Sequence, residues 1–157
     1  MLRSLSRLSL VALAVVATFS AGHVTAEAQA PSYLYTVDTD TALDNQTNLR
    51  WQRVPLQQYN LSFQSALLGC QNLNLGGYAS GWRLPTVREM LSIVDARQAS
   101  GPQWDRTVFT GAPLSSYWTS TTVASDPTKA WIFTFTPGIY MEQRVTATDS
   151  ALVRCVH

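Results

Sequence analysis

Two hydrophobic rhythms alternate along this chain once an apolar start is passed. Tyr33-Leu34-Tyr35-Thr36-Val37 has strand character. Asn48-Leu49-Arg50-Trp51-Gln52-Arg53-Val54 alternates, with Leu49 and Trp51 on one face, the period-two pattern of a half-buried strand. Between them, Asp38-Thr39-Asp40-Thr41-Ala42-Leu43-Asp44-Asn45 reads as a polar turn region, because Asp and Asn readily bond their own backbone. It superficially suggests a calcium loop, but Ala42 and Leu43 fall where an EF-hand needs Asp/Asn and then Gly. From Phe63 the rhythm changes: Phe63, Ala66, Leu67, Cys70 and Leu73 recur at helical spacing, Ser62 is the expected N-cap, and Gly76-Gly77 ends the helix.

The stretch Gly81-Trp82-Arg83-Leu84-Pro85-Thr86-Val87-Arg88-Glu89-Met90-Leu91 predicts a strand that stops at proline and turns directly into a second helix. Leu84 precedes Pro85, where sterics disfavour the α region. Thr86 and Glu89 have the spacing of a capping box. Val87, Met90, Leu91 and Val94 form the apolar face of this helix. Trp82 is expected in the core, and Arg83 is expected to be buried against carbonyls or a carboxylate, since a buried charge must be paired.

From Arg97 to Ser116 periodicity disappears, and Gly101-Pro102 and Gly111-Ala112-Pro113 punctuate a long loop carrying Trp104, Val108 and Phe109. Loops of this length are functional or packed on their own residues. Tyr117 to Val123 restarts strand character. Lys129 to Thr136 alternates, Pro137-Gly138 turns, and Ile139 to Val145 returns as the second arm of a hairpin. Ala151 to Val156 reads as the last strand. Strands, two helices, a long loop and then strands again argue for an α+β fold with an antiparallel sheet.

The apolar start changes the picture. Arg3 and Arg7 precede the run Leu8–Phe19, and Val24-Thr25-Ala26 and Ala28-Gln29-Ala30 are small-residue cleavage patterns. Residues 1–26 are therefore expected to be a signal peptide, with cleavage after 30 as the alternative, leaving one domain over 31–157 that is exported to the periplasm or the cell exterior. The run falls short of the roughly 20 residues a membrane span needs, so no integral span is expected after cleavage. Losing Arg3 and Arg7 leaves 9 basic and 10 acidic residues, a net charge of −1. That balance offers no footprint for nucleic acid and no polybasic membrane patch. Export places Cys70 and Cys155, the only cysteines, in a compartment that permits one intramolecular disulfide; free thiols or a metal pair are the alternatives. No cofactor or metal site is expected, because the only histidine beyond the leader is His157.

Several separated motifs resemble one bacterial family. Asp44-Asn45 with Thr47, Leu49 and Trp51 is similar to its opening motif, and Ser65-Ala66 to Cys70 is similar to its cysteine helix. Gly77 and Trp82-Arg83-Leu84-Pro85-Thr86 with Glu89 and Leu91 resemble its signature. Tyr117-Trp118-Thr119-Ser120-Thr121, then Ala130-Trp131 with Phe133, and finally Val153-Arg154-Cys155-Val156 resemble the motifs that follow. The family is the domain of unknown function numbered 1566, also called the Lcl C-terminal domain after a collagen-like adhesin. The resemblance implies a C-type-lectin-like fold, related in shape to formylglycine-generating enzyme domains, with two helices on an antiparallel sheet, a long irregular loop and a Cys70–Cys155 bridge. It makes Asp44, Trp51, Trp82, Arg83, Leu84, Pro85, Thr86, Glu89, Trp118, Trp131 and Arg154 fold-forming positions. In the adhesin this domain is associated with sulfated glycans and host surfaces, and a collagen-like region drives trimerisation. This chain has no Gly-X-Y tract and is near neutral, which supports neither property.

The expected function is a non-enzymatic binding or adhesion module for carbohydrate or a cell-surface partner. Outside the fold-forming positions, Trp104, Arg106, Tyr140, Gln143 and Arg144 are the candidate ligand-binding residues, since aromatics stack on sugar faces and Arg and Gln bond hydroxyls. Glu-Pro-Asn and Gln-Pro-Asp are both absent, which argues against calcium-dependent sugar binding. The alternatives are a structural envelope protein without a small ligand, or an enzyme. A Ser-His-Asp triad would rest on His157, a poorly pre-organised position, and the acidic residues have no catalytic motif around them.

Overall fold

A computed structural model describes residues 34–56, 60–95, 103–135 and 140–157, and at 140, 143 and 145 the backbone alone. The leader, all of Arg97–Pro102 and the Pro137-Gly138 turn lie outside the described residues. The fold is α+β, and the described residues form two helices, three small antiparallel sheets and one disulfide.

The first sheet is a meander of β1 (Tyr35–Val37), β2 (Thr41–Asp44) and β3 (Arg50–Gln52). β2 stands where a polar turn was expected. It has no alternation to read, because the adjacent Thr41 and Ala42 are both fully buried, and Ala42 pairs with the buried Trp51. Asp38 closes the turn before β2, its N–H donating to the Thr41 carbonyl at 2.8 Å, and Asp44 organises the one after it. The Asp44 carboxylate accepts from the Gln46 N–H at 2.9 Å and the Thr47 hydroxyl at 2.7 Å, closing the turn that carries Asn48 at φ 58°.

β4 (Leu61–Ser62) leads into α1 (Phe63–Gln71), whose N-cap Ser62 accepts from the Ser65 N–H. Ala66 and Cys70 are the buried residues of α1. α2 (Val87–Ser92) is shorter than the predicted face, and Val94 lies beyond its end. Met90 and the following Ile93 are buried, whereas Leu91 is exposed. The third sheet joins β5 (Ser116–Val123), β6 (Asp126–Thr134) and β7 (Tyr140–Val145) in sequential antiparallel order.

The last predicted strand is strand only at β8 (Ser150–Ala151), which pairs with β4. Residues 151–156 are nevertheless all buried. The extended chain bonds a different neighbour at each step instead of one partner strand. Leu152 exchanges bonds with Ser116 and Trp118, Leu56 donates to the Val153 carbonyl, Gln52 to Cys155, and Val156 pairs with Arg83. Such a thread satisfies the buried backbone without forming a ladder.

Two core clusters lie beside this thread. One gathers Trp51, Met90, Ile93, Trp104, Phe109, Tyr117, Phe133 and Phe135. The other packs Ala66, Trp82, Leu84, Trp118, Ile132 and Val153 around the Cys70–Cys155 bridge. The long loop is thus a wall of the first core. Asp105 caps its turn through the Thr107 N–H at 2.8 Å, and Arg53 bonds the carbonyls of Thr107 and Val108 at 3.0 and 2.8 Å.

Candidate functional site

The capping box forms as the Thr86/Glu89 spacing predicts. Thr86 N–H donates to Glu89 Oε2 at 2.7 Å, and Glu89 N–H donates to Thr86 Oγ1 at 3.2 Å. The same carboxylate takes both ends of the Arg83 fork, at 2.6 and 2.8 Å. Arg83 is therefore not the buried arginine expected; its side chain is 46% exposed, lying across the start of α2. Val87 N–H donates to Thr121 Oγ1 at 3.1 Å, which ties the helix start to β5.

Hydrogen bonding from Arg83 holds the Glu89 carboxyl below its ordinary value, against the opposing effect of burial. A carboxyl lowered in the folded state stabilises the fold above its unfolded pKa and loses that contribution as pH falls through the folded value. Glu89→Gln, which keeps a capping side chain, is expected to cost about 0.5–1 kcal/mol at neutral pH. Urea midpoints of the two proteins should converge as pH falls below the ordinary carboxyl range, and a gap that persists at acid pH would count against the ion pair.

The tied corner borders a surface groove. Trp51, Trp82, Trp104 and Trp118 are fully buried, but Trp131 on β6 is only half-buried. Its indole lines a hollow of about 170 Å³ with Val87, Thr121 and Met141. An adjoining hollow of about 570 Å³ is lined by Thr86, Val87, Arg88, Leu91 and Thr121. Val87 and Thr121 belong to both, so the hollows form one groove between α2 and the third sheet. Its apolar margin is open to solvent, with Leu91 46% and Met141 44% exposed.

Of the residues expected to bind ligand, Trp104 and Arg106 line one cleft, and Arg144 stands elsewhere. Trp104 is fully buried, with its ring 4.2 Å from Phe135 and 5.6 Å from Tyr117, so it packs in the core and only borders that cleft from beneath. Arg106 is exposed on this open cleft of about 550 Å³, which is separate from the groove and is also lined by Trp104, Phe109, Thr110, Gly111, Ala112 and Pro113. Arg144 on β7 pairs with Glu142 at 2.8 Å. Tyr140 and Gln143 are also on β7, but their side chains lie outside the described residues. His157 is held firmly, its ring 4.5 Å from Tyr78 and 5.6 Å from Trp82. It also crowds Gly81 (φ +90°), where a Cβ would stand 2.7 Å from Nε2. Among the described residues, no group of three or more His, Cys, Asp or Glu side chains could hold a metal ion, and no helix is long and apolar enough to cross a membrane.

The sequence profile described as the Lcl C-terminal domain matches residues 40–157, all but the first 39 residues. The chain belongs to the Lcl C-terminal domain family. No curated protein and no solved structure shows a significant match. In this Lcl C-terminal domain, most family-like positions sit inside the frame. Trp82 and Leu84 flank the disulfide, Trp118 donates to the Leu61 carbonyl at 2.8 Å, and Arg154 is wholly buried. Trp131 stands apart from them because one side of it meets solvent. Its place in the Ala130-Trp131 motif favoured a packing role, and alternation alone placed it on the face of Phe133 and Phe135. The missing signal is tertiary: α2 covers only part of that face.

Proposed function

We propose that this domain is an exported, non-enzymatic binding module with a C-type-lectin-like fold, working in the periplasm or outside the cell, and that it takes carbohydrate on Trp131. The half-buried indole carries the reading. A half-buried aromatic in a groove presents apolar area for the C–H face of a sugar, while the hydroxyl of Thr121 and the guanidinium of Arg88 stand alongside for ring hydroxyls. The groove is also pre-formed, since the capping box and the Val87–Thr121 bond fix the helix against the sheet. Holding the site rigid before binding limits the ordering cost.

The test is glycan-array screening of the purified protein, followed by titration of the best glycan against wild type and Trp131→Ala. Saturable binding is expected, weakened about 30-fold or more by the substitution, with only a small shift in melting temperature. Unchanged affinity in the variant would remove Trp131 from the site. The apolar Leu91 and Met141 on the margin favour a second reading, a protein partner of the envelope. Specific capture of one envelope protein, with no glycan bound, would select it.

A further inference from the structure

We infer that β7 is a self-complementary edge through which two copies of this chain pair into one continuous six-stranded antiparallel sheet. This goes beyond the carbohydrate reading and does not rest on it. β7 is the terminal strand of its sheet, and among the described residues no strand pairs with its outer edge. Thr146 N–H donates to the Thr128 carbonyl, which fixes the hydrogen-bonding parity of the β6–β7 ladder. Bonded pairs alternate with non-bonded ones, so the register assigns the inward bonds to 142 and 144 and points the N–H and C=O groups of 141, 143 and 145 outward.

An isologous antiparallel pairing must match outward-pointing positions with outward-pointing positions. Three registers near the middle of the strand satisfy that rule. Centred on 142, the pairing sets Glu142 against Glu142; centred on 144, it sets Arg144 against Arg144. Centred on Gln143, it sets Glu142 of each copy against Arg144 of the other, and Met141 against the valine position 145. Like charges directly opposite destabilise a sheet and opposite charges support it, so the central register is selected. It also places Glu142 and Arg144 in a non-hydrogen-bonded pair, where facing side chains stand closest.

Within one copy Glu142 and Arg144 already form a half-exposed ion pair at 2.8 Å. Pairing converts two such pairs into a network of four alternating charges. The two-fold axis lies normal to the sheet, so Trp131, opposite Gln143 in its own copy, ends up on the same face as Trp131 of the second copy. The two positions are three strand spacings apart, about 14 Å.

Sedimentation equilibrium of the purified protein tests the pairing. The wild type is expected to dimerise reversibly. Glu142→Arg and Arg144→Glu should each weaken the dimer about tenfold or more, because the two-fold doubles every change. The combined swap should restore it. Gln143→Pro, which removes an outward donor without breaking a bond of the β6–β7 ladder, should leave a folded monomer. A wild type that stays monomeric to its solubility limit overturns the proposal. So does a dimer indifferent to both reversals and to the proline.

Discussion

Arg154→Ala is expected to lower the unfolding free energy by about 3–5 kcal/mol, the range for breaking a buried charged network and opening a cavity. Thermal denaturation should register this as a fall of about 10–20 °C. Arg154 is 0% exposed. Its Nη1 donates to the carbonyls of Gln52 and Arg53 at 2.5 and 2.7 Å. Its guanidinium carbon lies 4.9 Å from the Phe109 ring centroid and 5.3 Å from that of Trp104. Burial pushes its pKa down to about 10, so the group is still charged at neutral pH, among carbonyl dipoles and ring faces. Alanine would remove the cation, orphan two carbonyls at the end of β3, and undercut the loop that carries Trp104 and Phe109. Arg154→Met should lose less, because it fills the space without desolvating a charge. A loss below about 1 kcal/mol in the alanine variant would show that the loop holds its position without this residue.

Removing the disulfide is the second large effect. Cys70 and Cys155 are both wholly buried and 85 residues apart in sequence. Closing so long a loop restricts the unfolded chain, and loss of a native bridge typically costs 2–5 kcal/mol. Replacing both cysteines with alanine suits the surrounding Trp82, Leu84 and Trp118 better than serine, which would bury two hydroxyls. The double variant should unfold at clearly lower urea concentration, with a larger m-value because its unfolded chain is less compact. Equal midpoints for the two proteins would mean that packing alone holds α1 to the closing segment.

What was legible in the sequence was local. Ser62, Thr86 and Glu89 act within one turn of their helices, so their spacing sufficed. The β6–β7 hairpin likewise joins neighbours in sequence. The arginines show where locality ends. Arg83 lies between Trp82 and Leu84, and Arg154 between Val153 and Cys155, the same polar residue in the same apolar setting. Arg83 turns toward a carboxylate six residues away and stays half in water. Arg154 meets Trp104 and Phe109, about fifty residues earlier, and is sealed. Nothing in either tripeptide separates the two outcomes. The tryptophans repeat the lesson: Trp104, in an aperiodic loop, is core, whereas Trp131, in a well-patterned strand, is the one that meets solvent. β2 was hidden for a related reason, since buried Thr41 and Ala42 are small and aspartates surround them.

The buried thread at 151–157 also orders events in time. Its partners lie at Arg50, Gln52, Leu56, Arg83, Ser116 and Trp118, each at least 34 residues earlier. A chain that emerges in sequence order can form α1, the capped α2 and the β1–β3 meander as they appear. It cannot seal Trp51 or Trp118, or join Cys70 to Cys155, until this segment arrives. Contacts of such long range form slowly, because the loop entropy must be met before they contribute. The core therefore stays open while the earlier elements form, and residues 151–157 are the latch that closes it.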